Sequence, residues 1–293
     1  LDRHGGMDGY VAAKRRIFRN QTKEDHAIIG VDDEVSQSVC TDLTGAGCVT
    51  VTPISAQGTL GGGVFALADT LFYNLDHKTS KAGLIPAIPA LRGRHNYQNA
   101  AAALAVCCRL GVSPPVAMLA MGRFKGLAHR MEKVADLGAM TLVNDSKATN
   151  ANAAAQALTA YKDIFWLAGG KAKDGGLSGL TDTGAGYLDH VRAGYFFGQA
   201  ADMFSAQIGD AVPTRIFGTM ERALMQAVRD ARASGVKNPV ILLSPAAASY
   251  DQFTNFEERG NAFRALVDRL VMAGPAAGDD LALPAPKTNG EAA

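Results

Sequence analysis

The sequence predicts an α/β fold carried by two successive sheets, the first mixed and the second mostly parallel and Rossmann-like. Three observations predict it. Short β-branched apolar runs alternate with longer Ala-rich segments of 3.6-residue period. Between Val49 and Leu75 the strand-like runs follow one another with no room for crossover helices, so part of that sheet is antiparallel. Beyond Gly126 strand and helix patterns alternate regularly, which implies βαβ units with helices on both faces of a parallel sheet.

The elements follow in order. Ala27–Val31, Val49–Ile54, Val64–Leu67 and Thr70–Asn74 read as strands, and Asp8–Asn20, Asn96–Leu110 and Pro114–Arg123 as helices. The run Gly58-Thr59-Leu60-Gly61-Gly62-Gly63 precedes a strand and reads as a hairpin turn, since no Lys-Ser/Thr follows it. In the second part, strands Met140–Asn144, Ile164–Ala168, Ala193–Phe197, Thr214–Phe217 and Pro239–Leu243 are interleaved with helices Asn150–Ala160, Ala200–Ile208 and Met220–Ser234. Helix Gly260–Met272 closes the series. The predicted divisions are residues 1–126, 127–274 and a Pro/Ala/Gly/Asp-rich tail, 275–293, expected to be disordered.

Composition narrows the function classes. At 293 residues, 47% hydrophobic and 19% charged, the chain is an ordinary globular sequence large enough for about two domains. Lys+Arg 29 against Asp+Glu 28 excludes a strongly basic nucleic-acid binder and an acidic tail protein. The cluster Lys14-Arg15-Arg16 reads as a solvated helix face. The longest apolar run, Ala100 to Cys108, is far short of the ~18 residues of a membrane span. Cys40, Cys48, Cys107 and Cys108 lack Cys-x-x-Cys spacing and read as buried, reduced thiols of a cytoplasmic protein. The chain opens inside a charged, motif-like stretch and reads as a fragment.

Ligands of open α/β sheets sit beyond the carboxyl ends of the strands. There the second part offers Asn144-Asp145-Ser146-Lys147-Ala148-Thr149-Asn150, Gly169-Gly170-Lys171-Ala172-Lys173-Asp174-Gly175-Gly176 and Ser244-Pro245-Ala246-Ala247-Ala248-Ser249-Tyr250-Asp251. Each turn alone also reads as a helix cap or a glycine turn. Two lysines and a carboxylate on one rim favour an anion site. In the first part, Asn96 and Asn99 share one face of a helical turn, where two amides either cap the helix or meet a purine edge. His95 reads as structural. No Gly-Lys-Ser/Thr phosphate loop occurs in the chain.

Four strings then coincide with one family. Arg94-His95-Asn96-Tyr97-Gln98-Asn99-Ala100, His129-Arg130-Met131-Glu132, Asn144 to Asn150, and Leu243 to Phe253 with Asn255-Phe256-Glu257-x-Arg259-Gly260 resemble the Mur ligases over about residues 1–272. Within the family, the last two strings are most similar to the branch that adds D-glutamate to UDP-N-acetylmuramoyl-L-alanine. The resemblance implies the second half of a P-loop-type, ATP-binding central domain at 1–126 and an amino-acid-binding domain at 127–274. It implies an ATP- and Mg2+-dependent amide ligase of peptidoglycan precursor synthesis, acting through an acyl phosphate. The family's phosphate loop, magnesium-binding glutamate and UDP-binding domain have no counterpart in the chain, so the chain alone is expected to be inactive. The residue preceding Leu1 is expected to be His.

Residue by residue, the resemblance implies that Lys14 is carbamylated and helps hold magnesium, overriding its reading as a surface lysine. Asn96 and Asn99 fall on the adenine side, Arg130 on ATP phosphate and Asp145 on the ribose hydroxyls. Lys147, Thr149, Lys173, Ser249, Tyr250 (through its backbone N–H) and Phe256 line the D-glutamate site, with Lys173 preferred to Lys171 as the carboxylate ligand. No nucleic-acid or membrane partner is implied, and a monomer is expected. Folylpolyglutamate synthase, another Mur-type ligase and a non-catalytic nucleotide or amino-acid binding module are the alternatives.

Overall fold

The computed structural model describes residues 4–76, 78–85, 88, 91, 95–181 and 184–274. The Leu1–Arg3 string and the 275–293 tail expectation lie outside these residues. The chain forms two compact units, Leu1–Lys125 and Gly126–Ala293.

The first unit holds a five-stranded sheet in the order β1-β2-β3-β4-β5: His26–Gly30, Thr50–Ser55, Gly63–Leu67, Thr70–Asn74 and Ser80–Leu84. Helix α2 (Glu34–Ala46), capped by Asp33 accepting from the Ser36 N–H at 2.9 Å, crosses between the parallel β1 and β2. The sequence reading missed both α2 and β5. Strands β3 and β4 form a hairpin through Ala68 and Asp69, both with positive φ, as a two-residue turn of the hairpin type requires. The glycine run 58–63 is not a hairpin turn. It joins β2 to a parallel β3, and the seven residues between them leave pairing at only Ile54–Val64 and Ser55–Phe65.

Alternation along β1 divides the core of this unit. Ala27 and Ile29 pack with Val49 against Val39, Cys40 and Leu43 of α2, while Ile28 faces the cluster under α3 (His95–Arg109). That cluster joins Ile54, Val64, Ala66 and Leu71 to Ala100, Ala101, Leu104 and Ala105. Helix α1 (Met7–Arg15) is followed by a 3-10 turn, Arg16–Phe18, so the expected continuous helix to Asn20 stops early. Helix α4 (Pro114–Gly122) begins with two prolines, which need no amide partners in a first turn. The cysteines are free but not buried. Cys48 is exposed beyond α2, and Cys40, Cys107 and Cys108 sit half-covered on helices.

The second unit is a six-stranded sheet in the order β10-β9-β8-β11-β7-β6. Its parallel members are β7 (Met140–Asn144), β8 (Ile164–Gly169), β9 (Val191–Phe197), β10 (Thr214–Phe217) and β11 (Val240–Leu243). The antiparallel edge strand β6 (Glu132–Leu137), also missed from sequence, pairs with β7. Helices α5 (Ala151–Leu158) and α6 (Ala201–Ile208) cover Trp166, Ala168 and Phe196 on one face. Helices α7 (Met220–Ala233) and α8 (Phe256–Met272) cover Phe165, Leu167, Tyr195 and Phe197 on the other. The α/β class holds in both units. Helix α8 starts at Phe256 rather than Gly260, because Asn255 caps it by accepting from the Glu258 N–H at 2.7 Å.

Candidate functional site

In the second unit β11 lies between β7 and β8, with Leu243 opposite Asn144 on one side and Leu167 on the other. The three carboxyl ends therefore open on one rim. Backbone bonds lace the exits together. Asp145 N–H donates to Leu243 O (2.7 Å), Ser244 N–H to Leu167 O (3.1 Å) and Gly169 N–H to Pro245 O (3.0 Å). Lys171 and Ala248 exchange two bonds, at 2.8 and 3.0 Å.

This lacing gathers the segments carrying the predicted amino-acid ligands. Lys147 is exposed, and its Nζ stands 4.8 Å from the centroid of the Phe256 ring, a cation–π contact. Phe256 opens α8, and its carbonyl accepts from Ser146 Oγ at 2.8 Å. Thr149 is half-buried, Ser249 buried and Tyr250 exposed. Lys173 heads a tight turn whose Gly176 N–H donates to Lys173 O, and both Lys173 and Lys171 are exposed. Asn150, by contrast, caps α5 by accepting from the Ala153 N–H at 2.9 Å.

Asp145 is buried, with Oδ1 accepting from Met131 N–H (3.1 Å) and Oδ2 from Ser244 Oγ (3.0 Å). Burial pushes its pKa up to about 7, against the opposing pull of these donors and of Arg130. Arg130 itself is exposed, between two non-glycine residues of positive φ, His129 and Met131. Each such residue costs of order 1–3 kcal/mol. The flanking bonds hold the pair, His129 N–H donating to Glu132 Oε2 at 2.9 Å and Met131 N–H to Asp145.

Sequence reasoning gave no role to the scaffold beneath. Arg259 is fully buried. Its Nε donates to Ser146 Oγ (3.0 Å), Nη2 to Ser146 O (2.8 Å), and Nη1 to Ala247 O (3.0 Å) and Gly169 O (3.3 Å). One guanidinium thus ties all three strand exits to α8, and burial lowers its pKa to about 10. The signal was present: Arg259 lies on the apolar stripe Phe263, Leu266, Val267 and Leu270 of α8, where a cation is out of pattern. Beside it Asn144 Nδ2 meets His129 Nδ1 (3.1 Å) and Gly260 O (3.1 Å), and the His129 ring packs edge-on to Phe256. Burial holds His129 below the ordinary histidine pKa. A Cβ on Gly260 would stand 2.1 Å from His129 Nδ1, so only glycine admits the ring.

In the first unit, Asn96 and Asn99 share the opening turn of α3, Asn99 Nδ2 donating to Asn96 Oδ1 at 3.1 Å. Asn99 is exposed and Asn96 half-buried; the side chain of His95 lies outside the described residues. Lys14 sits exposed on α1 with Nζ 5.3 Å from the centroid of the Tyr10 ring. The described residues contain no cluster of three or more His, Cys, Asp or Glu side chains that could hold a metal ion. No described helix is long and apolar enough to cross a membrane.

Residues 1–107 match the Mur ligase middle domain. The chain is similar to Mur ligases over most of its length. Among its relatives, the UDP-N-acetylmuramoylalanine–D-glutamate ligase of Caulobacter vibrioides is 48% identical over 274 residues, covering 94% of this chain and 57% of that protein. The ligase of the same name from Phenylobacterium zucineum is 47% identical over 92% of this chain and 57% of its own length. The chain thus spans a little over half the length of the curated relatives it matches. MurF from Acinetobacter baumannii superposes with a TM-score of 0.64 at 21% identity, over 92% of this chain and 57% of that one. A bifunctional folylpolyglutamate synthase/dihydrofolate synthase with Mn, AMPPNP and L-glutamate bound gives 0.58 at 18% identity, over 89% and 58%. These two structures, at 21% and 18% identity, establish the fold alone.

Proposed function

We propose that this chain supplies the amino-acid-accepting part, and part of the nucleotide-binding part, of an ATP-dependent ligase joining D-glutamate to UDP-N-acetylmuramoyl-L-alanine. The observation that carries the reading is the cationic, hydroxyl-bearing rim at the β7, β8 and β11 exits, in a chain 48% identical to a D-glutamate ligase over 94% of its length. A substrate with two carboxylates calls for such a rim, because charge-assisted hydrogen bonds are the strong ones. Lys147, held against Phe256, and Lys173 are assigned to the carboxylates, with Thr149, Ser249 and the Tyr250 N–H as neutral donors. Folylpolyglutamate synthase, matched at 18% identity, is the weaker alternative.

In this reaction the L-alanine carboxylate takes the γ-phosphoryl group of ATP, releasing ADP. The D-glutamate amine then attacks the acyl carbon, phosphate leaves, and the amine loses a proton as the amide forms. The contribution of these residues is orientation of the amine and stabilisation of negative charge. Asn96 and Asn99 are assigned to adenine, Arg130 to phosphate and Asp145 to ribose. Both Asp145 oxygens already accept one internal bond, so a ribose hydroxyl would use a remaining lone pair.

Lys14 is assigned its carbamate by resemblance alone. Exposed and set against Tyr10, it has no assembled set of oxygen ligands around it among the described residues, so the fit to magnesium is poor and no step is routed through that ion. A cytoplasmic, monomeric enzyme without nucleic-acid or membrane partners completes the proposal. The test is phosphate release by the full-length gene product. Release that requires ATP, D-glutamate and UDP-N-acetylmuramoyl-L-alanine together supports the reading, and equal activity with a folate and L-glutamate overturns it. The 293-residue chain assayed alone is expected to release none, since no Gly-Lys-Ser/Thr loop is present in it to hold the β- and γ-phosphates.

A further inference from the structure

The opening turn of α3 is pinned from two sides by Tyr97 and Gln98, members of the Arg94–Ala100 string to which the sequence reading gives no role. Gln98 Nε2 donates to Asp32 Oδ2 at 2.8 Å, across 66 positions of sequence. Asp32 lies just beyond β1, and its carboxylate is already an organising centre: Oδ1 accepts from Ser55 Oγ at 2.5 Å and Oδ2 from Ala56 N–H at 2.8 Å. Ser55 Oγ in turn accepts from the Gln57 and Gly58 N–H groups, at 3.1 and 3.0 Å. One carboxylate thus couples the exits of β1 and β2 to the helix. On the other side, Tyr97 donates its hydroxyl to Asp69, the second residue of the β3–β4 turn, whose own carbonyl accepts from Ile85 N–H at 2.9 Å.

The approach of Gln98 is also built into the backbone of β1. A Cβ on Gly30 would stand 2.8 Å from Gln98 Nε2 and 3.0 Å from its Cδ, so a side chain there would push the amide from its present place beside Asp32. Residues 97 and 98 therefore fix the rotation of the turn about the helix axis, and residues 96 and 99 inherit it. Side chains three apart on a helix share a face, and the Asn99-to-Asn96 bond lies on it.

We infer that Asp32 and Gln98, admitted by Gly30, are positioning residues for nucleotide-base recognition, aiming the Asn96–Asn99 pair at the purine edge. This rests on the assignment of those two amides to adenine. An amide pair discriminates between purines only if its donor and acceptor are presented in one fixed orientation, because ATP and GTP offer reversed patterns at the six-position. Loss of the Gln98 anchor thus acts on base selectivity first and on amino-acid use little.

The test uses the full-length gene product with four variants, Gln98→Met, Gln98→Lys, Gly30→Ala and Asn99→Ala. KM for ATP, KM for D-glutamate and the ratio of kcat/KM for ATP over GTP are measured for each. Gln98→Met keeps length and helix propensity but removes the donor. It should raise KM for ATP about fivefold and lower the ATP:GTP ratio about threefold or more, with KM for D-glutamate changed less than about twofold. Gln98→Lys restores a donor to Asp32 and should recover most of the selectivity. Gly30→Ala, which displaces Gln98 without altering it, should repeat the Gln98→Met pattern. Unchanged ATP parameters in Gln98→Met and Gly30→Ala, or equal changes in both KM values, overturn the inference while an effect of Asn99→Ala leaves the base site standing. If Asn99→Ala itself changes neither KM for ATP nor the ratio, the adenine assignment falls, and the inference falls with it.

Discussion

Replacing Arg259 with methionine tests whether one buried cation holds the rim together. The guanidinium is fully buried and makes four hydrogen bonds, to Ser146 Oγ, Ser146 O, Ala247 O and Gly169 O. Methionine fills much of the volume and leaves those acceptors facing apolar atoms. Bonds to a charged donor contribute about 1.5–3 kcal/mol each, but they share one donor group and are not additive. Offsetting this, removal of the buried charge relieves its desolvation. Breaking a buried charged network from one side costs about 3–5 kcal/mol, and that is the expected loss. Trp166, the only tryptophan in the sequence, lies in β8 with its Nε1–H donating to Ser244 O at 2.8 Å, so its fluorescence reports the second unit alone. With a urea m-value of about 2 kcal/mol/M, the midpoint read from Trp166 should fall by roughly 2 M. Arg259→Lys, which keeps the charge but spans fewer acceptors, should fall between the two. A midpoint shift below about 0.5 M for Arg259→Met would refute the tying role.

Three other outcomes are expected. Lys173→Ala in the full-length gene product should raise KM for D-glutamate roughly tenfold to a hundredfold, the effect of losing about 1.5–3 kcal/mol, with KM for ATP little changed; Lys171→Ala should be milder, and a reversed order would move the assignment to Lys171. Gly260→Ala should destabilise the second unit by about 1–3 kcal/mol in urea, since its Cβ would overlap the His129 ring, and an unchanged midpoint would show that the ring has room to retreat. Asp145, raised by burial to about 7 from an unfolded value near 3.8, binds its proton more tightly folded than unfolded, so its contribution to stability is present below the unfolded pKa and is lost as pH rises to about 7. Unfolding curves should weaken over that window by up to about 4 kcal/mol, and Asp145→Asn should flatten the slope. His129 works in the opposite sense, its lowered pKa removing stability as pH falls below the ordinary histidine range, so a steeper loss with rising pH up to about 7 in His129→Gln is the matching control.

Strands buried along their whole length can be read from sequence, and so can the edge strand β10, whose positions are half-buried or exposed. All positions of β8 and β11 are buried, and such runs stand out as continuous apolar segments. The missed strands are edges. β6 reads Glu132-Lys133-Val134-Ala135-Asp136-Leu137, and a bulge between Lys133 and Ala135 breaks its alternation. β5 carries lysine and glycine, residues that suit an edge but weaken a strand pattern. The glycine run 58–63 misled for a related reason: glycines signal a turn but not whether the next strand returns or continues parallel.

The same distinction between local and distant information separates the legible half of the site from the illegible half. Lys147, Lys173 and Ser249 could be placed because a strand exit is defined by its own neighbours: an apolar run ends, a polar string begins, and parallel strands put those strings together. What fixes them is encoded nowhere nearby. Arg259 reaches Ser146 across 113 positions, and Asn144 reaches the carbonyl of Gly260 across 116. Local periodicity carries no trace of such pairs; it leaves only anomalies, a cation on an apolar stripe or a glycine inside a helix. At Arg259 and Gly260 the two anomalies are adjacent. The glycine admits His129, the arginine binds the three exits, and both sit on the first turns of the helix that begins with Phe256. An α8 begun at Gly260 would leave Arg259 outside the helix. The cap at Asn255, by setting the start of α8, is therefore what turns a surface-looking Asn-Phe-Glu-Glu-Arg-Gly string into the keystone under the rim.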